Sequence, residues 1–358
     1  MADLDPDLVD RAVAEATKRA ANLDYFFDNL SSPDWIEPLR ERGLFREPPA
    51  QVVDEQGYVR APGWSASRYL ARVAGEAPES VAAVIREIQT NNERIREDFV
   101  DAALAMPTPL ARLLAAEEAR WLGERDHVYY LLPRKIVDLA AAMAQDGEVA
   151  TATALLWSLF RPSDTPRDLG WGLKRPQARF SDWEYDQLLR KVVDSVLPAA
   201  PSETLQMLLS LLASALEVMR REDSDPESFD FTTRIWRPRI ADDRDRASQV
   251  EDALISAVRD AARSIRRSEW MTDARLVEAL LGHREELYRR IAMAVLVEAP
   301  DADVDVVRAL VLDPAQLTDA EPSVEYRELL SSSAVWLSES EVEPLVTAVQ
   351  RGPDVAHF

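Results

Sequence analysis

The three histidines, His127, His283 and His357, are the natural candidates for acid–base or metal chemistry, and they stand far apart in the chain. His283 and Glu286 have His-x-x-Glu spacing, but a single pair of that kind on a surface helix is an ordinary solvated contact, so no metal site is expected. The sequence has no cysteine, which removes a thiol nucleophile, cysteine-bound zinc and iron–sulfur clusters. Gly170 and Gly172 are close together, yet neither a third glycine nor Lys-Ser/Thr follows, so the backbone cradle that binds a nucleotide phosphate is not encoded. Gly-x-Ser-x-Gly is missing as well. Aspartates pair at Asp3 and Asp5, at Asp243 and Asp245, and at Asp301, Asp303 and Asp305, but no Asp-x-Lys or Glu-x-Lys triplet completes a nuclease core. These acids read as turns and helix starts, where the macrodipole favours negative charge. The expectation is a protein with no catalytic residue, no cofactor and no metal.

What remains is recognition chemistry. Residues 161–180 carry Arg161, Arg167, Lys174, Arg175 and Arg179 against Asp164 and Asp168, with Trp171 among them, and a second stretch reads Arg234-Ile235-Trp236-Arg237-Pro238-Arg239. Tryptophan and arginine together are the composition of an interaction hot spot. The expected partner-binding residues are therefore Trp171, Lys174, Arg175, Arg179, Arg234, Trp236, Arg237 and Arg239. Intramolecular salt bridges and Arg packing on Trp account for the same residues equally well.

The whole-chain charge narrows the partner. Sixty-four acidic residues against 42 basic ones give a net charge of −22, which repels polyanions and disfavours nucleic acid and anionic membranes. The charge is uneven, because residues 259–267 hold four Arg against one Asp while residues 296–358 hold thirteen acids and three Arg. No stretch approaches the roughly 20 apolar residues of a membrane span, and the N-terminus lacks the pattern of a signal peptide, so the expected location is the cytoplasm.

The elements that must position these residues are helices. Val81, Val84, Ile85, Ile88, then Ile95, Phe99, Ala102 and Ala103 recur at three and four residues, with Arg86, Glu87, Arg94 and Glu97 on the intervening polar positions. Pro78, Pro107 and Pro109 punctuate the pattern as helix starts. Continued along the 358 residues, this spacing predicts about sixteen helices, with a single helix over 6–30 and others over 33–43, 78–90, 92–106 and 108–123. Three long interruptions fall at 44–63, 161–180 and 223–245; the second has the makings of a short hairpin. The fold class expected is all-α, a HEAT-like α-solenoid with two or three long loop insertions, organised as 1–160, 161–245 and 246–358.

Two stretches resemble a known family. Tyr25-Phe26-Phe27-Asp28-Asn29-Leu30 with Pro33-Asp34-Trp35-Ile36-Glu37-Pro38-Leu39, Phe45-Arg46-Glu47-Pro48-Pro49, Trp64 to Leu70 and Asp98 to Leu104 resemble the HEAT-like helical region of large bacterial multidomain proteins. Arg289 to Met293, Glu325 to Leu330 and Gly352-Pro353-Asp354 are similar to a later part of it. Such regions accompany nuclease, deacylase or nucleotide-binding modules, some in STAND-like ATPases of phage defence. The resemblance implies a non-catalytic scaffold or sensor in bacterial anti-phage defence, with an effector module or a phage protein as partner. The alternative is a nucleic-acid-binding helical repeat, including an enzyme of the DNA-glycosylase kind, that sets the basic middle against phosphates.

Overall fold

A computed structural model describes residues 4–56, 58–170, 173–220, 239–241, 249–313, 316 and 323–351. The chain is mostly helical, 67% of it, as the spacing of apolar residues leads one to expect. It divides into two compact units, residues 1–163 and 164–358. No helix among the described residues is long and apolar enough to cross a membrane.

The first unit contains α1 (Pro6–Ala16), α2 (Ala20–Asn29), α3 (Ile36–Glu41), α4 (Ser65–Val73), α5 (Pro78–Glu87), α6 (Glu93–Ala105), α7 (Thr108–Gly123), α8 (Leu132–Gln145) and α9 (Val149–Phe160). Where one helix was expected over 6–30 there are two, because Arg19 is extended (φ −149°, ψ 145°) and the turn before it lets α2 pack on α1. Neither Pro nor Gly marks that break; the tertiary contact overrides propensity. The helices form two rows, with α2, α4, α6 and α8 in contact in succession and α3, α5, α7 and α9 likewise. Pairs α6–α7 and α8–α9 close the rows on each other, and side chains such as Ile95, Phe99, Leu122, Ile136 and Leu155 are buried where they meet.

The connector 44–63 is not purely extended. It carries a small hairpin, β1 (Val52–Val53) against β2 (Val59–Arg60), with Val53 opposite Val59. Asp54 Oδ1 accepts the N–H groups of Gln56 and Tyr58 at 3.0 and 2.9 Å and so shapes the turn. Asn92, fully buried, ties the connector down: its Oδ1 caps α6 on Arg94 N while its Nδ2 donates to the carbonyls of Pro49 and Pro62 at 2.8 and 2.7 Å.

The second unit begins with the hairpin β3 (Arg167–Gly170) and β4 (Leu173–Arg175), then α10 (Asp182–Ser195), α11 (Pro201–Met219), α12 (Val250–Arg267), α13 (Asp273–Leu281), α14 (Glu286–Val297), α15 (Val304–Val311), α16 (Val324–Ser333) and α17 (Glu339–Arg351). Helix α12 is the axis of this unit, packed by α10, α11 and α14, and α14 in turn packs on α16. A buried ion pair holds that last contact: Arg290 Nε lies 2.9 Å from Glu325 Oε2, both side chains being almost inaccessible. Ile240 donates its N–H to Glu325 on α16 at 2.7 Å, and its carbonyl accepts from Arg259 on α12 at 3.1 Å.

Candidate interaction site

Helix α6 was expected to bury one apolar stripe and show its acids to water. Glu93 and Glu97, four residues apart on one face, are instead buried to 2% and 4% exposure. The reason is the segment that joins α7 to α8. Glu93 Oε2 accepts the backbone N–H of Tyr129 at 2.5 Å, and Glu97 Oε1 accepts that of Leu131 at 2.9 Å. A buried carboxylate is costly unless hydrogen-bonded, and here the bonds it needs are the ones that shape the loop. Burial pushes the Glu93 carboxyl up to about 7, against the pull of the Tyr129 N–H.

Tyr130, between those two anchored amides, has φ +58°. That left-handed backbone is strained for a bulky residue and costs about 1 to 3 kcal/mol, so it persists only where its surroundings impose it. The imposed conformation turns the loop outward. Tyr130 Oη donates to the carbonyl of Val59 at 2.8 Å, which joins the loop to the β1–β2 hairpin. Tyr58, Tyr130 and Leu131 are 68%, 40% and 53% exposed, and Val52, Val53 and Tyr129 are also open to solvent. Exposed aromatic and aliphatic side chains thus stand on a loop and on a hairpin that the Tyr130–Val59 bond joins, and His127 flanks the loop with its ring 6.1 Å from that of Tyr129.

A cavity of about 600 Å³ opens in the same unit between the α5–α6 turn and the C-terminal half of α7. At its wall Arg96 on α6 donates to Glu118 Oε1 on α7 at 2.9 Å and to the Thr90 carbonyl at 3.3 Å. The Arg96 guanidinium lies 5.0 Å from the Trp121 ring centroid, and that of Arg125 lies 4.6 Å from the same ring. Burial raises the Glu118 carboxyl, with Arg96 opposing it. Arg96 Nε, Glu118 Oε2 and Trp121 Nε1 are buried with no hydrogen-bond partner. Ordinarily such atoms are paired, and their concentration in one wall is a mark of a polar site.

The residues expected to bind a partner belong to the second unit, and of the eight, Lys174, Arg175, Arg179 and Arg239 lie among the described residues. Lys174 and Arg175 lie on β4, in register with Asp168 and Arg167 of β3, so the short hairpin anticipated in 161–180 is present. Arg175 Nε is 2.6 Å from Glu251 Oε1, a carboxylate with no exposure that burial drives up to about 7. Their atoms approach closely, but the orientation makes no hydrogen bond, so the pair is held by charge. Arg179 is 1% exposed and thus part of the interior. Arg239 reaches Glu328 at 2.6 Å on the surface. Trp171, Arg234, Trp236 and Arg237 lie outside the described residues.

Sequence reasoning passed over the first unit's site. The signals were there: Glu93 and Glu97 at a four-residue interval inside a buried pattern, and the apolar run Tyr129-Tyr130-Leu131-Leu132 just ahead of a helix-opening proline. Among the described residues no group of three or more His, Asp or Glu could hold a metal ion. The chain matches no family model, no curated protein and no solved structure, so the functional reading rests on the geometry of the site itself.

Proposed function

We propose that this protein is a non-catalytic helical-repeat scaffold or sensor, a HEAT-like α-solenoid that holds a protein partner. The observation that carries the reading is the outward-facing Tyr58, Tyr129, Tyr130 and Leu131, fixed from beneath by two buried carboxylates. A loop kept in strained backbone by hydrogen bonds to buried carboxyl groups is preorganised, and preorganised aromatic surface lowers the ordering cost of a protein interface. The two rows of helices in the first unit support a repeat architecture, since each helix packs on its second neighbour. The defence setting and the choice of an effector module or phage protein as partner rest on the sequence resemblance alone.

The reading is tested by comparing partner capture from the source cells by the parent and by a Tyr129→Ser/Leu131→Ser variant, with melting temperatures measured alongside. Selective loss of one or a few captured proteins at unchanged stability is the expected result. Equal capture by both, or turnover of a nucleic-acid, ATP, ester or peptide substrate by the chain alone, would contradict it.

A further inference from the structure

The cavity beside the tyrosine loop has a charge arrangement that specifies a ligand. The chain as a whole is strongly acidic, at −22, yet Arg86, Arg96, Arg120 and Arg125 all line this one cavity. Two of them are neutralised within it, Arg86 by Glu117 at 2.8 Å and Arg96 by Glu118 at 2.9 Å. Neither Arg120 nor Arg125 forms an ion pair with a carboxylate among the described residues. Arg125 is instead laid over Trp121, the ring that Arg96 also covers, and its charge acts on Glu93 without a direct ion pair, so two guanidiniums converge within about 5 Å of a single indole and only that of Arg96 has a carboxylate in ion-pair contact. Like charges brought together around a buried aromatic favour an anion between or beside them.

We propose that this cavity binds a carboxylate carried by an acidic peptide segment of the partner, with Arg120 and Arg125 as the groups that hold it; the proposal rests on the scaffold reading above and names the chemistry of its partner. Three features select that ligand. Guanidinium forks match carboxylate geometry and are the residues of choice for it at interfaces. Glu124 lines the same space beside the Arg86–Glu117 pair, so a compact dianion such as phosphate meets more repulsion there than a single carboxylate reaching in from a peptide. Gln89 and Asn91 also line the cavity; with Asn91 Oδ1 taken by the Gln51 N–H, their side-chain amides still offer N–H groups that suit the carbonyls of a peptide backbone. A volume near 600 Å³ falls in the range of about 300 to 1,000 Å³ typical of ligand pockets. Trp121 Nε1 and Glu118 Oε2, buried without partners in the wall, are the atoms positioned to gain a bond as the wall adjusts around an occupant.

The test uses the full chain and two capped peptides, Ac-Asp-Glu-Asp-Glu-NH2 and its uncharged counterpart Ac-Asn-Gln-Asn-Gln-NH2, with inorganic phosphate as a third probe. The indole N–H resonance of Trp121, assigned by its disappearance in Trp121→Phe, reports occupancy. The acidic peptide should shift it saturably, and Arg120→Gln/Arg125→Gln should weaken the apparent affinity at least tenfold at an unchanged melting temperature. Arg120 is exposed and Arg125 half-buried, so the double variant is expected to fold; glutamine at Arg125 alone provides a milder second variant. No shift up to 10 mM peptide, an equal shift with the uncharged peptide, an affinity indifferent to the arginines, or saturation by phosphate at comparable concentration would each overturn the proposal. Such a failure with capture still sensitive to Tyr129 and Leu131 would remove the carboxylate site and leave the scaffold reading intact.

Discussion

Leu131 gives its backbone N–H to Glu97 Oε1 at 2.9 Å, a bond that spans 34 residues and ties an exposed loop to the middle of a buried helix face. If that bond fixes the loop, Glu97→Ala should lower stability by about 1 to 3 kcal/mol, the cost of a buried group left unpaired, and weaken partner binding at least tenfold. Glu97→Gln, which keeps an acceptor oxygen, should restore most of both. Denaturant unfolding and a binding titration measure the two effects, and equal losses from Ala and Gln would show that charge rather than the hydrogen bond is what matters.

Tyr130 offers a separation of strain from surface. Its φ of +58° costs nothing for glycine, so Tyr130→Gly relieves about 1 kcal/mol or more of backbone strain while losing the hydroxyl bond to Val59. The expected outcome is stability close to the parent with binding strongly reduced. A large drop in stability would mean that the Tyr130 side chain is structural.

Glu93 makes stability depend on pH near neutrality. Its folded-state value, raised by burial to about 7, lies above the ordinary carboxylate range, so the folded state binds the extra proton. The stabilisation is then complete below the unfolded value and is lost as pH rises through about 7. Glu251 in the second unit, also raised to about 7 by burial, acts in the same direction. Unfolding followed from pH 5 to pH 8 should show falling stability, and Glu93→Gln should reduce the slope, by an amount on the order of 1 to 3 kcal/mol across that range. An unchanged slope would show that the carboxylate is not titrating there.

How much of this was legible in the sequence follows from what each residue needs. Three- and four-residue spacing of apolar side chains is local, so α5, α6 and α7 fall within a few residues of their expected places. The break at Arg19 is not local, because its cause is the packing of α2 on α1. Glu93 and Glu97 look like surface acids until the 124–131 segment is folded over them, since their partners are backbone amides some 35 residues ahead, which carry no side-chain signature. Arg175 and Arg179 carried the right chemistry for an interface, but burial is set by the unit around them: one lies against Glu251 and the other is enclosed.

Arg175 supplies a prediction of its own. Removing its guanidinium leaves Glu251 buried without a counter-charge, and breaking a buried pair from one side costs about 3 to 5 kcal/mol. Because Arg175 is partly exposed, the effect should lie at or below the low end of that range, and be larger at pH 8, where Glu251 is ionised, than at pH 6. Arg175→Ala/Glu251→Gln should recover much of the loss. A variant that loses binding at full stability would return Arg175 to the interface role that its sequence context suggests.

The claim that the tyrosine loop and its hairpin form the partner surface is tested most directly by site-specific photocrosslinking in the source cells. A benzophenone amino acid is placed at Tyr58, the most exposed aromatic of the surface, and at Val335 in the second unit, which is 85% exposed and serves as the control. The account predicts a discrete adduct from position 58 that disappears in Tyr130→Gly, with none from position 335. An adduct from position 335 alone, or one from position 58 that survives Tyr130→Gly, would contradict it.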